Sequence, residues 1–266
     1  MIFKKIIQFV VFVSFTYTGN SQITCTLQDS ISFASKNYKT NKGKDIYDNL
    51  FFLQEGTLIK TDKNTTWEYA NFELGVPTSV SLLNPLQILV FYKDTNTFVL
   101  LDKFLSEIKR VDLNTISPSR VAKWVNNTKN KEVWLYNSLN NELEFFNYKN
   151  NTKLTENTII NGDPIDLASG FNTAYLLFED KIKGYNNYVT VIAEIPIDDV
   201  DKISLNNNKL MVNHKDELEF FDARLNSLGR LKKPKNSEEG VFLSDEKLYI
   251  YHESTLYIYQ LNISSK

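Results

Sequence analysis

The chain has few of the residues that nucleophilic or metal chemistry requires. His214 and His252 are its two imidazoles, and Cys25 is its one thiol. A Cys/His zinc centre, a Cys/His nucleophile pair and a disulfide framework each need more of these residues than the sequence provides. The sequence also lacks the G-x-S-x-G, G-x-G-x-x-G, P-loop and H-E-x-x-H motifs. We therefore predict no catalytic residues, no metal ligands and no cofactor.

Aromatic residues offer a different capability, which is binding. They make up 13% of the chain, and most fall at alternating positions of predicted strands, where packing accounts for them. Trp67, in the polar segment 64–69, and Trp124, close to Arg120, are less easily explained by packing. Because Trp, Tyr and Arg dominate protein interfaces, we take Trp67, Trp124 and Arg120 as candidate binding residues. The alternative is that both tryptophans are buried between sheets.

The elements that must position these residues follow a repeat. Between residues 45 and 262, short β-branched and aromatic runs alternate with polar turns, and no apolar pattern of period 3.6 is evident. Each unit has an apolar strand, a short turn, a second apolar strand and then an acidic or amide residue. The first apolar residue of each second strand serves as an anchor, and the anchors recur at offsets of 36 to 45 residues: Leu58, Phe98, Leu143, Ile182, Leu218 and Leu256.

Two further observations support this repeat. Four residues beyond the anchors stand Asp62, Asp102, Asn147, Asn186, Asp222 and Gln260, and Asp and Asn side chains cap the turns that leave strands. The pentapeptide Glu-Leu-Glu-Phe-Phe occurs at 142–146 and again at 217–221, about two periods later. His214 and His252 each lie four residues before an anchor, so we expect both at equivalent turns.

A period near 40 residues with about four short strands per unit resembles a β-propeller. We predict an all-β fold of six four-stranded blades. The last unit reaches Lys266 after three strands, so we expect the stretch from Ile23 to Ala34 to complete that blade and close the ring. Five or seven blades, a β-solenoid and a β-sandwich are the alternatives.

The propeller resemblance implies one further chemistry. Propeller hydrolases of the lactonase type bind calcium through carboxylates and amides that converge on the central channel. Asp45, Asp166, Asp201 and Glu239 lie near predicted inner strands and are the candidates here. Their spacing does not distinguish them from ordinary strand-end residues.

The first residues have the layout of a secretory signal peptide. Lys4 and Lys5 precede an apolar run of about ten residues, and small residues follow at 19–21, so we predict a signal peptide at 1–21 and a single mature domain at 22–266. Cleavage would change the formal net charge from −2 to −4, and only four arginines are present, which argues against nucleic-acid binding. No other apolar stretch is long enough to span a membrane.

Abundant Asn, Lys and Ile and the predicted cleavage context resemble exported proteins of the Bacteroidota. The function predicted from these features is a non-catalytic propeller that binds a protein partner in the periplasm or at the cell surface. The resemblance implies association with an outer-membrane secretion, gliding or uptake assembly. The alternative is a calcium-dependent hydrolase or lactonase, or a glycan-binding propeller, that works through the central channel.

Overall fold

The computed structural model describes residues 23–33, 38, 40–62, 64–154, 159–234 and 240–263. These residues form 24 β-strands and one 3-10 turn, Leu113–Thr115. The predicted signal peptide at 1–21 lies outside the described residues. Within the described part of the chain, no helix has the length and apolar character needed to cross a bilayer.

The strands form six separate four-stranded sheets, which are the blades. Blade 1 contains β2 (Thr40–Lys44), β3 (Leu50–Gln54), β4 (Thr57–Thr61) and β5 (Thr66–Tyr69). Blade 2 contains β6 (Ser79–Ser81), β7 (Ile88–Tyr92), β8 (Thr97–Leu101) and β9 (Glu107–Asp112). Blade 3 contains β10 (Ala122–Asn127), β11 (Glu132–Asn137), β12 (Glu142–Asn147) and β13 (Thr152–Lys153).

The second half of the ring follows the same order. Blade 4 contains β14 (Asp166–Ser169), β15 (Thr173–Leu177), β16 (Lys181–Asn186) and β17 (Val191–Pro196). Blade 5 contains β18 (Val200–Asn206), β19 (Lys209–His214), β20 (Glu217–Phe221) and β21 (Ser227–Lys232). Blade 6 contains β22 (Gly240–Ser244), β23 (Lys247–His252), β24 (Thr255–Asn262) and β1 (Thr24–Ser32).

Each blade is an antiparallel meander, and the first strands of neighbouring blades contact each other around the central axis. The N-terminal strand β1 pairs with β24, from Thr24 opposite Asn262 to Ser32 opposite Thr255. The prediction of six blades closed by an N-terminal strand is therefore confirmed. Without β1, the outer edge of β24 would be left unpaired, and its pairing with β1 closes the ring.

The packing explains why the anchors repeat. All six anchor side chains are buried, and each belongs to a different hydrophobic cluster, which lies between its own blade and the next. Leu58, for example, packs between blades 1 and 2, and Leu256 packs between blades 6 and 1. Each blade thus places its anchor at the same point of the apolar cluster that fills the seam to the next blade, which gives the sequence its period.

The turn residues behave as predicted in five of the six blades. The side-chain oxygens of Asp62, Asp102, Asn147, Asn186 and Asp222 each accept hydrogen bonds from two backbone amides of the following turn. In blade 4 this turn extends to Thr190, whose amide donates to Asn186, so the outer strand begins at Val191. Gln260 instead lies inside β24.

Candidate partner-binding surface

The three predicted binding residues do not lie together. Trp67 is on the outer strand of blade 1, as expected, and Trp124 is on the inner strand of blade 3. Arg120 lies in the segment that connects blade 2 to blade 3. Each therefore has its own surroundings, and the prediction that all three contact a partner stays a prediction.

Arg120 is bound inside the protein. Its side chain is 2% exposed, and its Nε donates to Glu144 Oε2 at 2.8 Å. Nη1 donates to the Pro118 carbonyl at 2.8 Å, and the guanidinium lies 4.5 Å from the centre of the Phe146 ring. Asn137 donates to the other Glu144 oxygen at 3.2 Å. These contacts fasten the segment that connects blades 2 and 3 to the third strand of blade 3.

Trp124 is half-buried. Its ring packs against Tyr136 at 5.6 Å, beside the cluster between blades 3 and 4. The ammonium of Lys123 lies 4.7 Å from the ring centre and also donates to Asp163 and to the Pro164 carbonyl. Lys123 thus covers part of the indole, which reduces the surface that Trp124 offers to a partner.

Trp67 lies at the outer rim of the seam between blades 1 and 2, and it is also half-buried. It sits 6.2 Å from the exposed ring of Phe104, which belongs to blade 2. Beneath it, the ammonium of Lys60 lies 5.0 Å from the indole centre and donates to the Lys103 carbonyl at 2.6 Å. Burial lowers the pKa of Lys60. Lys60 thus holds the indole of Trp67 in place across the seam.

A polar network continues the same rim. The Tyr69 hydroxyl donates to Glu107 at 3.1 Å, and Arg110 donates two further hydrogen bonds to that carboxylate. The hydrogen bonds from Arg110 hold the pKa of Glu107 below its ordinary value, whereas burial, together with the charge of Glu107, raises the pKa of Tyr69. Glu73 lies 3.7 Å from Arg110 on the other side. The seam is thus fixed by charge-assisted contacts from both blades.

Phe72 completes what we call the rim surface, defined by Trp67, Tyr69, Phe72, Phe104 and Arg110. Phe72 immediately precedes Glu73 and is 91% exposed, and Phe104 is 52% exposed. The turn that carries Phe72 is ordered, because the Asn71 side chain accepts a hydrogen bond from the Leu74 amide. Sequence reasoning missed Phe72 and Phe104. The available signal was that both lie in turns, outside the alternating strand pattern.

The candidate calcium ligands that the structure describes lie in different surroundings. Asp45 is buried and accepts hydrogen bonds from the Tyr47 and Asn49 amides and from the Asn49 side chain. Asp166 accepts from the Leu167 and Ile203 amides, although burial raises the pKa of its carboxyl. Asp201 is exposed on β18, and Glu239 lies outside the described residues. The described part of the chain holds no group of three or more His, Cys, Asp or Glu residues suited to a metal ion.

The innermost strands also carry positive charge. Lys42 lies on β2 of blade 1 and Lys202 on β18 of blade 5. Although the two blades are not neighbours, the two ammonium groups repel each other. Burial and this repulsion lower the pKa of Lys42. Two ammonium groups on the strands that line the axis oppose calcium binding there.

Both histidines lie at the turn between the second and third strands of their blades, as predicted. His214 Nε2 is 3.4 Å from Glu219, and His252 Nε2 is 3.7 Å from Glu253. They belong to neighbouring blades 5 and 6, and each faces a carboxylate of its own blade. The structure does not bring them together.

No protein-family model matches this chain, and no curated protein matches its sequence. Several solved structures share its fold. Virginiamycin B lyase from Staphylococcus aureus has a TM-score of 0.57 and 9% identity over 90% of this chain and 99% of its own. The Pan2 WD40 domain from Neurospora crassa has a TM-score of 0.56 and 9% identity over 93% and 97%.

A third similar structure is PorZ from Porphyromonas gingivalis, described as an essential bacterial surface component of the type-IX secretion system. It has a TM-score of 0.54 and 12% identity over 91% of this chain but only 34% of its own. Identities of 9–12% show the fold alone, and these three proteins differ in function. The chain is thus a six-bladed β-propeller.

Proposed function

We propose that this protein is a non-catalytic, exported β-propeller that binds a protein partner of the bacterial cell envelope through the rim surface. The observation that carries the proposal is the exposure of two aromatic rings at this rim: Phe104 lies beside Trp67, and Phe72 directly precedes Glu73, which pairs with Arg110. Interface hot spots are enriched in Trp, Tyr and Arg, and they form where a partner can exclude water from them.

The rim surface is also held in position before binding. Lys60 fixes Trp67 from below, Glu107 fixes both Tyr69 and Arg110, and Asn71 orders the turn that carries Phe72. Binding to such a surface immobilises few side chains, so less conformational entropy opposes it. Burying Phe72, whose ring is almost wholly in water, would contribute about 2 kcal/mol by itself.

The envelope location rests on two supports. The signal-peptide pattern at 1–21 directs a chain out of the cytoplasm. In addition, PorZ, a bacterial surface protein of a secretion system, contains the same fold. We propose a periplasmic or outer-membrane-associated location, with a secretion, gliding or uptake assembly as the source of the partner.

Affinity purification from the native bacterium tests the proposal. The wild-type protein is expected to recover a stoichiometric envelope protein, and the variant Phe72→Ser/Phe104→Ser is expected to recover at least about ten-fold less of it. Both substitutions lie at exposed positions, so the fold is expected to persist, which circular dichroism would verify.

The matched control is Leu86→Ser/Tyr188→Ser, which replaces two exposed apolar side chains outside the rim surface. It is expected to recover the partner as the wild type does. Recovery of the wild type as a free monomer, or equal loss in both double variants, would contradict the proposal. Calcium retained by the purified protein after dialysis would instead favour the channel hydrolase.

A further inference from the structure

A cleft of about 620 Å³ opens between blades 4 and 5, diametrically opposite the rim surface in the ring of six. Its volume lies within the range of small-ligand sites. Buried Ile197, Phe221 and Leu225 supply apolar lining, and Asp198, Asp199, His214, Glu219, Ser227 and Arg230 supply polar lining. The cleft thus combines an apolar floor with charged walls.

The cleft exists because the connection between these blades is short. Only residues 197–199 join β17 to β18, whereas residues 113–121 join β9 to β10. In that longer connection, Arg120 fills the equivalent position between blades 2 and 3. The short connection supplies no such side chain, and the outer part of the seam stays open.

The polar side chains that blade 5 contributes to the cleft lie against one another. Glu219 is nine-tenths buried; it forms an ion pair with Arg230 at 3.0 Å and accepts a hydrogen bond from Ser227 at 3.2 Å. His214 Nε2 is 3.4 Å from the same carboxylate. Ser227 is directed at Glu219 and not at His214, so the three residues do not form a nucleophile–base–acid relay. The network forms a wall of the cleft and leaves Glu219 no free oxygen.

The opposite wall has unused acceptors. Asp198 and Asp199 line the cleft, and neither carboxylate forms a hydrogen bond or ion pair with the described residues. The lining contains three carboxylates and one guanidinium. The charge of the cleft therefore favours a cationic occupant.

We propose that this cleft, the blade 4–5 cleft, binds a lysine or arginine side chain presented by a polypeptide. The aliphatic stem of such a side chain packs on Ile197, Phe221 and Leu225, and its cationic head donates to Asp198 and Asp199. An apolar surface next to carboxylates without a partner among the described residues suits a side chain that combines an aliphatic stem with a cationic head, as lysine and arginine do. The site is distinct from the rim surface, and neither proposal depends on the other.

The two histidines make the test specific. Because the chain has only His214 and His252, its imidazole Hε1 protons give two signals by NMR, one from the cleft and one from a different blade. Titration with Nα-acetyl-lysine methylamide is expected to shift the His214 signal saturably and to leave the His252 signal in place. The norleucine amide, which has a similar stem without the charge, is expected to bind at least about ten-fold more weakly.

The variant Asp198→Asn/Asp199→Asn is expected to weaken binding of the lysine amide by at least about ten-fold. Asn suits position 199, where φ is 56°, and the unchanged His252 signal reports that the fold is intact. Asp94→Asn, at an exposed turn of blade 2, is the control and is expected to bind normally. The proposal is overturned if the His214 signal fails to respond, if the norleucine or glutamate amide binds as tightly, or if the double variant binds like the wild type.

Discussion

Replacing Glu144 with Leu removes the carboxylate that pairs with the buried guanidinium of Arg120. Arg120 and Glu144 are each 2% exposed and lie 2.8 Å apart. With an effective dielectric constant of about 20, their attraction is about 6 kcal/mol, and the loss of several kcal/mol of hydration per ion offsets most of it. The pair therefore contributes little net stability. Either partner left alone keeps its desolvation cost without compensation, so Glu144→Leu and Arg120→Leu are each expected to cost about 3–5 kcal/mol.

The double variant Arg120→Leu/Glu144→Leu is expected to be more stable than either single variant, which gives a coupling energy of at least about 2 kcal/mol. Urea unfolding followed by tryptophan fluorescence measures all three, because Trp134 is wholly buried in the same blade. The matched cycle uses Glu219 and Arg230, where the arginine side chain is 58% exposed, and is expected to couple by less than about 1 kcal/mol. Additivity within about 0.5 kcal/mol at Arg120 and Glu144 would refute the reasoning.

Two other predictions concern ring closure and the turns. Ile23→Ala, at a buried position directly before β1, is expected to cost about 2–4 kcal/mol in urea unfolding, whereas Leu27→Ala, at an exposed position within β1, is expected to cost less than about 0.5 kcal/mol. Equal costs would show that the N-terminal segment does not close the core. Burial opposes ionisation of Asp222, but hydrogen bonds from Asn226 and Arg224 hold its pKa below 3.8. The stabilisation by the Asp222 carboxylate is therefore present above pH 3.8 and is lost as the pH falls through its lower pKa in the folded state. The wild type is expected to be more stable than Asp222→Asn by less than about 1 kcal/mol, because the group is partly exposed, and this difference should shrink on acidification. A difference that stays constant with pH would contradict this.

The repeat was predictable because the same physical demand recurs in every blade. Each seam buries an apolar anchor from the third strand, and in five of the six blades the turn after that strand needs a side-chain acceptor for two amides. The anchors, such as Leu143 and Ile182, and the turn residues, such as Asn186, meet these demands at nearly constant spacing. Ring closure was predictable for a related reason, since an unpaired edge in blade 6 required a strand from the other end of the chain.

The rim surface was not predictable in the same way, because it depends on which side chains stay exposed once two blades have packed together. Trp67 was identified from its polar sequence neighbours, but its exposed companion Phe104 lies 37 residues away on another blade. Arg120 was chosen as a candidate binding residue because arginine is enriched in interface hot spots and because it lies close to Trp124 in the sequence. Its partner Glu144 lies 24 residues later, and no local pattern relates the two.

The repeated pentapeptide shows why a shared motif does not specify a shared site. Glu-Leu-Glu-Phe-Phe forms the third strand of both blade 3 and blade 5, and its central glutamate, Glu144 or Glu219, faces the preceding seam in each. In blade 3 the long connection delivers Arg120, and the seam closes as a buried ion pair. In blade 5 the neighbouring outer strand supplies Arg230 from the solvent side, and the short connection leaves a cleft. Identical strands therefore produce a structural contact in one seam and a candidate binding site in another, because the connection between blades, and not the strand, determines what each glutamate meets.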